Sequence, residues 1–403
     1  MISYTESYQI VKNEFLKLKL EIEEVDLLNS LNRILADDVY SDINQPPFHN
    51  SAMDGFAIRF NPNIKKWKII GEISAGNYNR FTLNDESAVL IMTGGKIPEN
   101  TSAILPVEDA ITNNGFVMLA DGKSIKESQH IRKKGEDLSE GILALKKNQL
   151  ITSNKISLLG ACGKSKVKVY RKIKFGVFST GDELIDIDGK VTEDKIRGTN
   201  LYSVISLLNE CNMETLNFGF VKDDKAKIRE KLADAFNSDI DILVTTGGVS
   251  VGKYDYLKEL LIEFGTEVKF WKVNIKPGKP IVFGIWEKEN KTKLVFGLPG
   301  NPVSSYVNFL IFIKPAILNF FGITPDNSVM AELTESIIKK DDKRNFFRGR
   351  LGFNLEKGKY FVKASEAQSS ADMMQLANAN CLIIIEEERM NPQKGEMIEC
   401  IKI

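Results

Sequence analysis

The sequence predicts a multidomain α/β-plus-β protein. Its parts are a central doubly wound, mostly parallel α/β domain, a β-rich inserted domain, a discontinuous helical/mixed domain and a C-terminal β barrel. Three observations carry this. From Lys172 onward apolar strands alternate with helices, the pattern of an open sheet covered on both faces. Between Gln45 and Gln129 short β segments are broken by Gly, Asn and Asp. A chain of 403 residues also exceeds one core, since domains usually hold roughly 100–200 residues.

Residues from Tyr4 to about Ala36 read as helix, with Tyr8, Val11, Phe15 and Leu18 at three- and four-residue steps between charges. Gln45-Pro46-Pro47 is a rigid extended joint. Beyond it WKIIGEI, SAVLIM, SAILPV and GFVML read as strands of a β-rich domain over 45–129. Residues 130–170 have no obvious core of their own and are expected to pack back on the amino-terminal helix, giving a discontinuous domain of 1–44 plus 130–170. The basic run KSKVKVYRKIK, Lys164 to Lys174, alternates as a strand with one solvated face; an anion surface is the lesser reading.

The α/β domain spans 171–322. Strand KFGVFST precedes helix TNLYSVISLLNEC, and strand TLNFGFV precedes helix DKAKIREKLADAF. Strand DILVTT then leads through a Gly-rich turn to helix YLKELLIEFG; strands VKFWKV, PIVFGIW and KLVFGLP and a long apolar helix from near Val303 complete it. In the remainder, 323–403, NFFRGRLGF, KYFVKAS and CLIIIEEE alternate as a small barrel or sandwich.

Composition narrows the chemistry. Lys+Arg 54 balances Asp+Glu 54, so the basic excess of a nucleic-acid binder is missing and no such partner is expected. Only His49 and His130 exist, and Cys162, Cys211, Cys381 and Cys400 form no Cys-x-x-Cys pair. A structural zinc site, an iron–sulfur cluster and a Ser-His-Asp triad are therefore disfavoured, and any metal should be a hard cation held by oxygens, such as Mg²⁺. The start MISYTESYQIVKNEF lacks a signal-peptide pattern, and Lys314-Pro315 interrupt the apolar stretch Ser304 to Phe321. With sparse cysteines, these features predict a cytoplasmic protein with no membrane partner.

In an open parallel sheet ligands bind beyond the carboxyl ends of the strands. Four loops occupy that edge. Ser179-Thr180-Gly181-Asp182-Glu183 suits either a metal–phosphate site or a helix-capping turn. Thr245 to Asp255, TTGGVSVGKYD, can cradle a phosphate or pterin against its glycines. Gly247 to Lys253 fits the first part of a Walker A pattern, but Tyr254 stands where Ser or Thr should reach Mg²⁺. Lys272 to Pro280, KVNIKPGKP, confines three lysines to a strand-to-strand joint whose prolines limit backbone freedom, which favours anion contact. Gly297 to Ser305, GLPGNPVSS, is a tight turn into a helix, structural or ligand-facing. Elsewhere, Asp54 in NSAMDG, Thr93 in IMTGGK, Arg348 and Ser369-Ser370 are isolated candidates.

Together PPFHNSAMDGFAIR, IMTGGKIPE, IRKKGEDL, VFSTGDEL, TTGGVSVGKYDY, FWKVNIKPGKP, FGLPGNPVSSY and FFRGRL closely resemble the molybdopterin molybdenumtransferase family, MoeA, and the related C-terminal part of gephyrin. They run in family order along nearly the whole chain. The resemblance implies a molybdopterin-binding type of α/β domain and a homodimer of elongated four-domain subunits. It implies Mg²⁺-dependent insertion of molybdate into adenylylated molybdopterin, with release of AMP, and a molybdopterin adenylyltransferase as candidate partner. By motif match the family's functional acids fall on Asp54, Glu183, Asp223 and Asp255, with Glu183, Asp223 and Asp255 organising the metal. Its substrate contacts fall on Thr93, Arg132, Lys272, Lys276, Lys279, Arg348 and Ser370, alongside Ser179, Thr180, Gly247, Gly248, Ser250, Pro299 and Pro302 of the edge loops.

In that family the cleft lies between the α/β domain of one subunit and the β-rich domain of the other. Departures are His49 where Asp is frequent, Lys133 and Lys134 where arginines are common, and Ala367-Gln368-Ser369-Ser370-Ala371 in place of a Gly-Ser-His-like stretch. Ser369 thus stands as the alternative to Ser370. Two other functions fit the same domains: a molybdopterin adenylyltransferase-type sister enzyme and a non-catalytic gephyrin-like scaffold.

Overall fold

A computed structural model describes residues 1–403 apart from 75, 77, 78, 250–255, 290, 325 and 326. Its centre is a six-stranded sheet in the order Glu214–Val221, Lys174–Thr180, Ile242–Thr246, Lys291–Leu298, Val282–Lys288, Glu267–Trp271. The first four strands are parallel, and the next two pairings are antiparallel. Ile242–Thr246 and Lys174–Thr180 are almost wholly buried, because helices cover both faces. Thr199–Glu210 and the helix beginning at Pro302 pack one face, and Lys225–Asn237 and Tyr256–Glu263 the other.

The long apolar helix expected from near Val303 begins at Pro302 and continues through Lys314 and Pro315. Pro302–Asn308 is α-helical, Phe309–Ile313 is a π turn and Lys314–Phe320 is α-helical again. By length and composition this helix matches a membrane span, but 67% of its most apolar window is buried inside the fold. Pro315 offers no N–H to the Ile311 carbonyl one turn earlier, and a wider turn relieves its ring. The Tyr4 hydroxyl donates to that Ile311 carbonyl instead, at 3.1 Å. Tyr4→Phe should therefore lower the unfolding free energy by about 1–2 kcal/mol through an orphaned acceptor. In a Pro315→Ala background, which restores the N–H, the same change should cost less; chemical denaturation of the four proteins measures the coupling.

Tyr4 begins the amino-terminal helix, which is shorter than expected and differently placed. The helix spans Tyr4–Phe15, its first turn capped by Ser3 Oγ accepting from the Glu6 N–H at 3.2 Å. Val11 and Phe15 are fully buried in the α/β core, so this helix belongs there rather than against residues 130–170. From Ile22 the chain is extended instead of helical: Ile22–Asp26 pairs antiparallel with Lys166–Tyr170. That second strand carries the basic run, with Val167 and Val169 inward and Lys166 and Lys168 outward. Leu35, Val39, Leu138, Ile151, Leu159 and these two valines share a small core, so residues on both sides of the insertion do meet.

The β-rich insertion is one six-stranded sheet, ordered Ala103–Pro106, Gly55–Ile58, Ser87–Ile91, Lys66–Ile73, Phe116–Leu119, Ala110–Asn113, with separate apolar clusters around Phe56 and Val89. At the C-terminus Arg344–Asn354, Lys359–Ala364, Ser328–Leu333, Met397–Lys402 and Cys381–Ile385 pair in turn, and the last returns to the first. That closed circuit makes a five-stranded barrel and decides against a sandwich. Ile275–Lys276 pairs parallel with Arg344–Asn345 on its rim, joining barrel to α/β domain.

Candidate active site

The parallel strands end at Thr180, Val221, Thr246 and Leu298, and beyond them lies a cleft of ≈ 930 Å³. Thr180, Glu183, Asp223, Gly247, Gly248, Pro299 and Pro302 all line it. Gly247 sits at φ +88, and a Cβ there would lie 2.3 Å from the Thr180 carbonyl oxygen, so only glycine lets the two loops approach. The Asn200 amide donates to the Gly300 carbonyl at 2.6 Å and pins the opposite wall. Ser179, read as a substrate contact, is fully buried, its hydroxyl 2.6 Å from that of Thr246. It supports the floor and does not face the cleft, because alternate residues of a strand point to opposite sides.

Charge in the cleft is acidic and incompletely paired. The Asp223 N–H donates to Asp182 Oδ1 at 3.1 Å, which draws two acids together. Burial pushes the Asp223 carboxyl above its ordinary value; the neighbouring Thr180 hydroxyl works against this, and the charges of Glu183 and Asp182 add to it. Thr180 Oγ1 and Asp223 Oδ1, although neighbours, miss hydrogen-bond geometry, and both are buried without a partner among the described residues. A buried carboxylate oxygen with no donor, among like charges, fits a hard cation with oxygen ligands. Asp255 and Ser250 lie outside the described residues, and among those described no three acids, cysteines or histidines converge as a complete metal site.

The lysine-rich turn lies at the barrel seam. Lys276 Nζ stands 2.8 Å from Asp341 Oδ2. Burial raises the Asp341 carboxyl, but Lys276, the Asn345 amide and the Lys343 N–H more than offset it and hold it at about 2. The fully buried Asn308 donates to the Gly278 carbonyl at 3.1 Å and fixes the turn to the long helix. Lys279 is exposed, and Lys272 lies 5.5 Å from the Trp271 ring.

Arg348 requires correction. Its guanidinium is buried and donates to the carbonyls of Ser369 at 3.0 Å and Ala367 at 2.8 Å, so it holds a loop instead of offering itself to an anion. That loop reaches the cleft: the Ser370 carbonyl accepts from the Val303 N–H at 3.1 Å, and Ala371 and Met373 line the wall.

Asp54, Thr93 and Arg132 lie on the β-rich insertion and its edge, outside this cleft. The exposed Asp54 carboxylate accepts from the Thr93 N–H and hydroxyl, each at 2.7 Å, which lowers its pKa. Arg132 is exposed opposite Asn50 on a two-residue strand pair.

Comparison with known proteins agrees along the chain. Residues 2–163 match the MoeA N-terminal region (domain I and II), 176–319 a probable molybdopterin binding domain and 330–403 the MoeA C-terminal region (domain IV). The molybdopterin molybdenumtransferase of Haemophilus influenzae is 36% identical over 96% of this chain and 95% of that protein. The chain belongs to the MoeA family.

MoeA relatives include the Bacillus subtilis molybdopterin molybdenumtransferase, 31% identical over 95% of this chain and 90% of its own length. A solved MoeA structure from Pyrococcus horikosii superposes with TM-score 0.81 at 28% identity, covering 100% of this chain and 99% of that one. The MoeA family comprises transferases of molybdenum cofactor biosynthesis, and this chain has that fold from end to end. Its sequence motifs left some cleft residues unmarked: Val191, Ile196, Arg197 and Met373 also line it. The Arg197-Gly198-Thr199-Asn200 run ahead of a helix was the available signal, and Met373 carried none.

Proposed function

We propose that this chain inserts molybdate into adenylylated molybdopterin, releasing AMP, with Mg²⁺ held between Glu183 and Asp223 and with Asp255 as a further acid. The observation that carries the reading is Asp223 Oδ1, buried and without a partner among the described residues, in a cleft floored by glycine loops. Mg²⁺, when bound, neutralises phosphate charge and polarises the anhydride. Glu183 and Asp223 fix its place, and their mutual repulsion makes them good hosts for a cation. Gly247 and Gly248 let their loop close on Thr180, which shapes the cleft floor on which the substrate would rest. Lys272, Lys276 and Lys279 attract molybdate, a tetrahedral dianion, from the seam beside the cleft.

Asp54, Thr93 and Arg132 act from the second subunit of a homodimer in this proposal. Leu28, at 80% exposure, Leu31 and Tyr40 are exposed apolar side chains of the mixed domain available to that association. The protein works in the cytoplasm, where its four unpaired cysteines stay reduced, and receives the pterin from a molybdopterin adenylyltransferase. Incubation with adenylylated molybdopterin, molybdate and Mg²⁺ should release AMP, and chelation by EDTA should stop it. Turnover that persists in EDTA would remove the metal from the scheme; ATP consumption would point to an adenylyltransferase.

A further inference from the structure

The Lys276–Asp341 pair crosses the seam between the α/β domain and the barrel, and its two members are held very differently. The Lys276 side chain is 55% exposed, whereas that of Asp341 is 16% exposed. The second Asp341 oxygen accepts from the Asn345 amide at 2.9 Å and the Lys343 N–H at 3.2 Å. The carboxylate is therefore anchored on the barrel, while the lysine has a flexible stem in solvent. Among the described residues Lys279, three residues on, has no ion pair, and the Lys272 ammonium lies 5.5 Å from the Trp271 ring. One of the three lysines read as gripping the oxyanion is thus already neutralised by a fixed negative charge.

We propose that Asp341 is a built-in counter-ion that competes with the incoming oxyanion for Lys276 and so sets the affinity of this loop for a tetrahedral dianion. The inference rests on the reading of the lysine turn as the molybdate contact. Asp341 repels an anion at the seam and occupies the lysine that would bind it; a dianion must outbid a single carboxylate to release Lys276. This keeps the turn ordered before substrate arrives and weakens its hold on singly charged ions more than on molybdate.

Calorimetric titration of the full-length protein with molybdate at low ionic strength tests it. Asp341→Asn should tighten binding about three- to ten-fold, because the local repulsion and the competitor vanish together. In a Lys276→Ala background, itself weaker for molybdate than wild type, Asp341→Asn should give much less tightening, a double-mutant coupling. Unchanged or weaker binding by Asp341→Asn, or equal tightening in both backgrounds, overturns the counter-ion role. Lys276→Ala that binds molybdate as wild type does instead overturns the underlying assignment of the turn. Asp341→Ser carries the same test should the asparagine variant fail to fold.

Discussion

Asp223→Asn is expected to cut AMP release from adenylylated molybdopterin about 10³-fold, the scale of losing a charge that organises transition-state electrostatics. The folded protein should be at least as stable as wild type. Both halves follow from one geometry. Asp223 has a buried oxygen without a donor among the described residues and sits near the charges of Glu183 and Asp182. Its folded pKa lies above the unfolded value of 3.8, so the folded state binds the proton more tightly. The stability linked to this group is then greatest below pH 3.8 and is lost as pH rises through the folded value. At neutral pH the carboxylate is a burden on folding, tolerable only where function needs the charge. An amide removes the repulsion at nearly equal volume. Single-turnover AMP release beside differential scanning calorimetry reads both effects; normal turnover, or a large drop in Tm, would remove Asp223 from the metal-organising role.

That pairing of function with strain explains which parts of the site were legible in the chain. Glu183 closes a hydroxyl- and acid-rich loop after an apolar strand, and the parallel-sheet rule puts that loop on the ligand edge, whereas Asp223 was marked only by the family resemblance. Gly247 was legible for the same reason, since a glycine pair at a strand end invites a close backbone approach. Ser179 and Arg348 were legible as motif members but not as side-chain directions. Strand phase turns Ser179 into the core, and Arg348 finds carbonyls of Ala367 and Ser369, a loop pairing that residue type alone does not encode.

The fold shows a similar division. The α/β alternation was unmistakable because buried strands are long and apolar. The amino-terminal third was harder: Leu16-Lys17-Leu18-Lys19-Leu20-Glu21-Ile22 alternates with period two, yet it follows a genuine helix whose last apolar residues share the same charges between them. The strand Ile22–Asp26 exists because Lys166–Tyr170, far along the chain, supplies its partner. Pro315 interrupts the apolar run in sequence but leaves the buried helix continuous. A helix breaker by local rules, it is absorbed by a π turn and by Tyr4, a contact 307 residues away in sequence.

Mixing two inactive variants, Asp54→Ala and Glu183→Ala, is expected to restore activity. Glu183 lines the α/β cleft, while Asp54 stands exposed on the β-rich insertion with Thr93 as its donor, outside that cleft. A site built from one subunit's α/β domain and its partner's insertion would carry both defects at one of the two sites of a mixed dimer and neither at the other. With statistical exchange, half the dimers are mixed and each has one intact site, so turnover should recover to about a quarter of wild type. Each variant alone should stay near background, and covalent cross-linking before mixing should abolish the recovery. A site completed within one chain predicts the opposite: no recovery at any mixing ratio, because every α/β cleft would remain paired with its own insertion. The exposed state of Asp54 makes its substitution mild for folding, so any loss in that variant reports on the reaction rather than on stability. Recovery of a quarter, appearing only after subunit exchange, would therefore locate the working cleft across the dimer, with the acid pair Glu183 and Asp223 on one side and Asp54 on the other.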